Sequence, residues 1–320
     1  MSKVTDHIAA AKGKSIFSIE IIPPARGSNS INELVKDIEP MMELKPPFID
    51  VTYHREEYII KEMPDGGKKE VRTRKRPGTI GICSAIMHKF DVDAVPHVLC
   101  GGMTKEDTED LLFDLDYLGI DNVMALRGDI AKPFNVFKAK KGGHQYASEL
   151  ITHIKEINKG RYLYEEASFD SHPDFCIGGA AYPEKHYEAP SFDIDFNFLK
   201  KKVDAGLDYI VTQMFFNNEK YISFVKKCRA EGINIPIIPG LKVLATKRQL
   251  EILPELFYCD MPADLRNAVQ SAKDNKAAKE IGVEWCINQC KELKDFGVPA
   301  LHFYTMSKSN TTLAVAKEIF

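Results

Sequence analysis

The stretch 209–232, YIVTQMFFNNEKYISFVKKCRAEG, holds the unit from which the fold is read. Tyr209–Gln213 is a short, largely apolar and β-branched run, the composition of a buried strand. The apolar period then changes. Tyr221, Phe224, Val225 and Cys228 share one face of a helix, and Gly232 supplies its stop. A strand apolar on both faces, followed by an amphipathic helix, belongs to a layered α/β architecture.

The unit recurs along the chain. Strand candidates are Ile16–Ile22, Phe48–Tyr53, Ala94–Cys100, Asn122–Leu126, Phe175–Ala181, Tyr209–Gln213, Asn234–Ile238 and Ala300–Tyr304. Between them lie helical patterns. Thr104–Asp107 has the form of a capping box, followed by Leu111, Leu115 and Leu118 and closed by Gly119. Phe192, Phe196, Leu199 and Val203 repeat the stripe, with Gly206 as stop. These stripes are core-facing helix faces. Strand–helix repetition over the length of this chain predicts a single (β/α)8 TIM barrel spanning 1–320. An open doubly wound sheet is the alternative, but no strand is followed by Gly-x-Gly-x-x-Gly. Two segments fall outside the pattern. Lys61–Gly78 reads as a basic insertion loop at about 61–79, a solvated insertion or an anion-attracting lid; 132–143 is a second basic, Gly-containing loop.

Composition narrows the classes. A hydrophobic content of 44% over 320 residues supports a large core, and a net charge of −3 gives no sign of a nucleic-acid partner. No apolar run reaches membrane-spanning length and the N-terminus lacks a signal-peptide core, so a soluble cytoplasmic protein is expected. The seven cysteines are odd in number, scattered, and without a Cys-x-x-Cys pair. They read as reduced core thiols, and no metal site is expected.

In a barrel of this kind functional groups gather at the C-terminal ends of the strands. The first strand, Phe17-Ser18-Ile19-Glu20-Ile21-Ile22 before Pro23-Pro24, places one carboxylate within an apolar run. Buried there, Glu20 must find a cation or keep its proton near neutral pH, as a general acid does; a solvent-facing or Lys-paired Glu is the other reading. The remaining ends offer Thr52 and Tyr53; His97; Arg127, Gly128 and Asp129; Tyr182 and His186; Gln213 before Phe215 and Phe216; and His302 to Thr305. Each has a structural explanation by itself. Together they describe a wide mouth with aromatic walls, one Arg and two carboxylates, suited to a large, flat, partly anionic ligand.

Phe-Ser-Ile-Glu-Ile-Ile-Pro-Pro, Val-Thr-Tyr, Pro-His-x-x-Cys, Ala-Leu-Arg-Gly-Asp, Ala-Ala-Tyr-Pro-Glu-x-His, Lys-Val-Asp-Ala-Gly, Thr-Gln-x-Phe-Phe, Ile-Ile-Pro-Gly and His-Phe-Tyr-Thr occur in that order. In them the chain, from about residue 15 to 310, resembles the bacterial methylenetetrahydrofolate reductases. The resemblance implies FAD held non-covalently in the mouth, reduced by NADH or NADPH. It implies ping-pong hydride transfer to 5,10-methylenetetrahydrofolate, with 5-methyltetrahydrofolate feeding methionine synthesis. It further implies a homo-oligomer, and no appended regulatory domain of the kind the animal enzymes carry. Glu20 would be the general acid for ring opening at N10, and Asp129 the fixed charge facing the developing cation. FAD would be bound by Thr52, Tyr53, His97, Arg127, Gly128, Asp129, Tyr146, Ala147, Tyr182, His186, Asp195, Lys201 and Lys202. Folate would meet Gln213, Gln249 and Lys308, with Thr52 near the nicotinamide. The chain departs from the family pattern at His54–Glu57 in place of a Gly-x-Ala turn, and at Phe198, Lys201, Leu253 and Lys308. Other flavin or folate barrels, such as a proline dehydrogenase or a pterin-dependent methyltransferase, are the enzymatic rivals. A barrel kept only for binding or assembly is the non-enzymatic one.

Overall fold

The computed structural model describes residues 2–27, 31–130, 136–165, 172–306 and 309–320. Helix α1 (Val4–Ala10) precedes strand β1 (Ile16–Ile21), and α2 (Ile31–Ile38) with a 3-10 turn (Glu39–Leu44) leads to β2 (Phe48–Val51). Strands β3 (Glu57–Glu62) and β4 (Lys68–Thr73) stand apart, after which α3 (Thr79–Phe90) returns to β5 (Asp93–Leu99). Strand and helix then alternate through α4 (Lys105–Tyr117), β6 (Asn122–Leu126), α5 (Ala147–Ile157), β7 (Cys176–Ala181), α6 (Phe192–Asp204), β8 (Tyr209–Thr212) and α7 (Asn218–Ala230). The short strands β9 (Ile237–Ile238) and β10 (Gly240–Leu241) precede α8 (Gln249–Phe257), α9 (Ala263–Ser271) and α10 (Asn275–Phe296); β11 (Ala300–Tyr304) and α11 (Ser309–Ile319) finish the chain.

The main sheet is all parallel, in the order β10-β11-β1-β2-β5-β6-β7-β8-β9. Its two ends are one stave of a (β/α)8 barrel. Pro236 and Pro239 flank Ile237–Ile238 and have no N–H for a ladder, which is why this strand is shorter than its apolar run suggests. Their carbonyls still accept. Ile210 N–H donates to Pro236 O at 2.9 Å, and His302 N–H donates to Pro239 O at 3.1 Å. One half therefore pairs with β8 and the other with β11, and the ring closes.

Period-2 alternation sorts the strand residues. Phe17, Ile19, Ile21, Ile49 and Val51 pack outward with the helices in one large cluster. Phe48, Val95, Met124, Tyr209, Val211, Ile238 and Ala300 fill the barrel interior, which α1 plugs with Val4 and Ile8. Helix starts follow the expected capping. Thr104 Oγ1 accepts from Asp107 N–H at 3.1 Å, while Asp107 Oδ2 accepts from Thr104 N–H at 2.8 Å.

The basic segment expected as a loop is an antiparallel hairpin, with Glu57 opposite Thr73 and Glu62 opposite Lys68. Its turn is closed by Met63 N–H to Gly67 O at 2.8 Å, with Gly66 at φ +79°. Its base is fastened to the loop after β1. Arg26 N–H donates to Lys75 O at 2.6 Å, and the Arg76 guanidinium donates to Pro23 O. No helix among the described residues is long and apolar enough to cross a membrane, and all seven cysteines are buried and unpaired.

Gly240 sits at the handover between the two half-strands, where a Cβ would stand 2.1 Å from Thr212 O and 2.5 Å from the Tyr304 ring. Gly240→Ala is expected to lower the unfolding free energy by about 2–4 kcal/mol. A urea titration should show the midpoint falling with an unchanged slope.

Candidate active site

Glu20 lies in register with Tyr304 on one side and Asp50 on the other, so three inward-facing side chains share a level near the C-terminal end of the barrel. Its side chain is 17% exposed. The immediate neighbours are polar. His97 Nε2 is 3.5 Å from the Glu20 carboxylate, and the same nitrogen is 3.6 Å from the carboxylate of Asp50, which is 1% exposed. Lys242, also buried, donates from Nζ to Tyr304 O at 2.9 Å and to Thr305 O at 3.4 Å. Ser18 Oγ meets His302 Nδ1 at 2.9 Å, and Tyr304 OH donates to Thr212 O at 2.7 Å.

Burial, reinforced by Asp50 and opposed by His97 and Lys242, lifts the Glu20 carboxyl to about 7. Burial likewise lifts Asp50 to about 6 against the pull of His302. It pushes the imidazoles of His97 and His302 down and Lys242 down to about 8. The raised acid thus arises differently from the greasy strand the sequence suggests. Phe17, Ile19 and Ile21 face the helices, and the Glu20 carboxyl is dried by the closed barrel among other polar groups.

A second group gathers where β6 and β7 end. The Arg127 guanidinium is ion-paired with Glu188 and lies 4.8 Å from the Phe137 ring centroid. The rings of Tyr182 and His186 meet edge to face at 4.7 Å, and His186 N–H donates to Asp195 Oδ2 at 2.9 Å. Lys202 donates to Ala180 O beneath them, and burial lowers its amine to about 8, opposed by Asp195. Burial and the nearby Arg127, Lys202 and Lys185 push His186 down to about 4. Gly128, at φ +84°, turns the chain here; a Cβ would meet Leu99 Cδ1 at 3.1 Å.

The other expected residues fall into smaller sets. Tyr146, the N-cap of α5 ahead of Ala147, stacks on Phe198 at 5.7 Å, and Lys201 Nζ lies 5.2 Å from that same ring. Thr52 Oγ1 meets His54 Nε2 at 3.1 Å, while Tyr53 packs half-buried on the core. Asp129 is exposed at the rim, and Arg55 donates to its carbonyl. Gln213 Oε1 accepts from Met214 N–H at 2.9 Å. Gln249 Oε1 accepts from Ala245 and Thr246 N–H at 2.6 and 3.2 Å, which occupies it in local backbone. Lys308 and the start of the 132–143 loop lie outside the described residues. Phe215 and Phe216 are core, not walls of the mouth: Phe215 stacks on Tyr221 at 5.2 Å, and Phe216 packs with Leu253. The aromatic surface here is instead Tyr187 stacked on Tyr258 at 4.5 Å, against His186. Asp50 and Lys242 were not among the expected residues. Asp50 carries the signature that marks Glu20, a single carboxylate inside an apolar strand, Phe48-Ile49-Asp50-Val51.

The donor set at the β6 and β7 ends fits FAD in its charges. A guanidinium and a buried amine suit a pyrophosphate.

Fold and site define a (β/α)8 barrel with a dry, proton-holding acid at its C-terminal mouth. A family model described as "Methylenetetrahydrofolate reductase" matches residues 3–319, and the chain belongs to that family. It is 30% identical to the 5,10-methylenetetrahydrofolate reductase of Escherichia coli, over 98% of this chain and 93% of that one. To "Methylenetetrahydrofolate reductase (NADH) 1" of Arabidopsis thaliana it is 29% identical, over 98% of this chain and 50% of the relative. To the "Probable methylenetetrahydrofolate reductase (NADPH)" of Caenorhabditis elegans it is 29% identical, over 96% and 42%. The chain thus spans about half the length of the plant and nematode relatives.

A carboxyl bound more tightly to its proton in the folded state costs stability as pH rises. At pH 4 folded and unfolded chains both hold the proton; above the ordinary value of 4.5 the unfolded chain releases it first, and the cost grows until about pH 7. Glu20→Gln is therefore expected to be more stable than the parent at pH 8, by about 1–3 kcal/mol. Paired denaturant titrations should show that gain vanishing near pH 4.

Proposed function

We propose that this chain reduces 5,10-methylenetetrahydrofolate to 5-methyltetrahydrofolate, drawing on NADH or NADPH through bound FAD in a ping-pong cycle. The observation that carries the reading is Glu20, a dry carboxyl lifted to about 7 at the mouth of a barrel of this family. FAD, when bound, supplies acceptance and donation of hydride. The chain's own groups do the rest.

Arg127 and Lys202 neutralise the pyrophosphate, with His186, kept uncharged, and Asp195 ordering that side of the mouth. Tyr182, beside His186, offers a ring against the flat ligand. Tyr146, Ala147 and Lys201 would hold one part of the cofactor, with Phe198 beside them, and Thr52, Tyr53, His97 and Gly128 would hold another. Glu20 keeps its proton at neutral pH and delivers it from its carboxyl oxygen to N10 of the folate as the five-membered ring opens. The carboxylate of Asp129, at the rim, faces the cation that this creates. Gln213, Gln249 and Lys308 would bind the folate. The product feeds methionine synthesis in the cytoplasm, and the working form is a homo-oligomer.

Purified protein should be yellow, with a flavin absorbance band that NADH bleaches without oxygen; a colourless protein that takes up no added FAD would overturn the reading. Glu20→Gln should still bind flavin and accept hydride from NADH, yet lose the folate half-reaction by about 10²-fold or more in stopped-flow. Equal loss of both halves would remove the assigned role. Asp129→Asn should slow reoxidation by folate about tenfold while flavin reduction by NADH persists.

A further inference from the structure

Asp50 is the most deeply placed carboxylate of the barrel interior, and the function proposed above leaves it unused. It is 1% exposed, and neither of its oxygens has a hydrogen-bond donor. It stands directly in register with Glu20 on the adjoining strand, where neighbouring backbones run about 4.8 Å apart. Between the two carboxyls lies a single ring nitrogen, His97 Nε2, 3.5 Å from Glu20 and 3.6 Å from Asp50 and itself without a hydrogen bond.

One imidazole nitrogen cannot serve both carboxyls at once, and two like charges this close in a dry interior cannot both form. The pair therefore holds a proton between them. Its position follows from their surroundings. Asp50 faces His302 on β11, whose Nδ1 is engaged by Ser18 Oγ, so an imidazole opposes its charge. Glu20 is 17% exposed toward the mouth, where a ligand can reach it. The remaining titratable groups around Asp50 are Tyr209 of β8, Cys83 of α3 and Tyr304 of β11, and those around Glu20 are Lys242 and Tyr304.

We propose that Asp50 is a positioning residue that keeps the proton on Glu20, acting as a like charge in register beside it and through the His97 imidazole that both carboxyls approach. It touches no ligand. The inference rests on the reading of Glu20 as the general acid, but the coupling of the two carboxyls is measurable without turnover.

The test is infrared difference titration of the carboxylic C=O band in the flavin-loaded protein, with the Glu20 contribution assigned by its loss in Glu20→Gln. In Asp50→Asn the Glu20 midpoint should fall by about one pH unit, a tenfold loss of proton affinity. In the folate half-reaction the alkaline limb should move down by the same amount, with NADH reduction of the flavin unchanged. In Glu20→Gln the Asp50 midpoint should stay in place, because Glu20 is still protonated while Asp50 ionises; if Asp50→Asn does not fold, Asp50→Ser decides the matter by the same downward shift of Glu20. A Glu20 midpoint unchanged within about 0.3 unit would overturn the proposal. If it shifts while folate never reoxidises the flavin, the coupling stands and the proposed function fails; if it stays while turnover persists, only the role of Asp50 fails.

Discussion

The molecule depends on how its ring of strands is shut. Two prolines in one stave forbid continuous pairing there, yet their carbonyls take hydrogen bonds from β8 on one side and β11 on the other. Were that stave to open, β11 would lose its pairing on the side away from β1 and the interior would flood. Water would solvate the carboxyls of Glu20 and Asp50, and both would revert to ordinary acids. Acid strength in the mouth is thus a property of closure, set by backbone pairing some strands away from the reacting group. The tight approach of Gly240 to Thr212 and Tyr304 is the local expression of that closure.

The barrel's interior is stratified. Apolar residues and the α1 plug fill its lower part. Above them Ser18, Asp50, His97 and His302 are dry, and Glu20 and Tyr304, in register with Asp50, are the partly exposed members of the same polar level, with Lys242 buried beside them. Such a level is costly unless its members satisfy one another. Ser18 and His302 do so by hydrogen bond, and Lys242 through two carbonyls. The rim cations Arg127 and Lys202 belong to a separate set, tied to Glu188, Asp195 and the backbone. The buried carboxyls and these cations are therefore divided between neighbouring sectors of the same mouth.

Much of this was legible in the residues. Change of apolar period marked the βα units, and Thr104 with Asp107 marked a helix start to the residue. A single acid in an apolar strand pointed to Glu20. The same reasoning reaches Asp50 in Phe48-Ile49-Asp50-Val51, a signal masked by the more conspicuous Thr52 and Tyr53 at that strand end. What composition could not tell was which neighbours a side chain meets across the sheet. Alternation turned Ile19 and Ile21 away from Glu20, and long-range register brought up His97 and Asp50 instead. Phe215 and Phe216 are ambiguous in sequence because core and cleft both favour aromatics. The hairpin was concealed by its charges, although Pro64-Asp65-Gly66 between Ile59-Ile60 and Val71 is a turn signal.

The burial of every thiol has its own consequence. Desolvation holds Cys176 at about 11 and Cys100, Cys228 and Cys259 at about 12, so the nucleophilic form is almost absent from the folded chain. Peroxide and disulfide exchange find little to attack while the barrel stays shut. An alkylating reagent would modify these sulfurs only during excursions that expose them. The rate at which each cysteine reacts is then a clock for the breathing of the element that carries it, from α7 with Cys228 to β7 with Cys176.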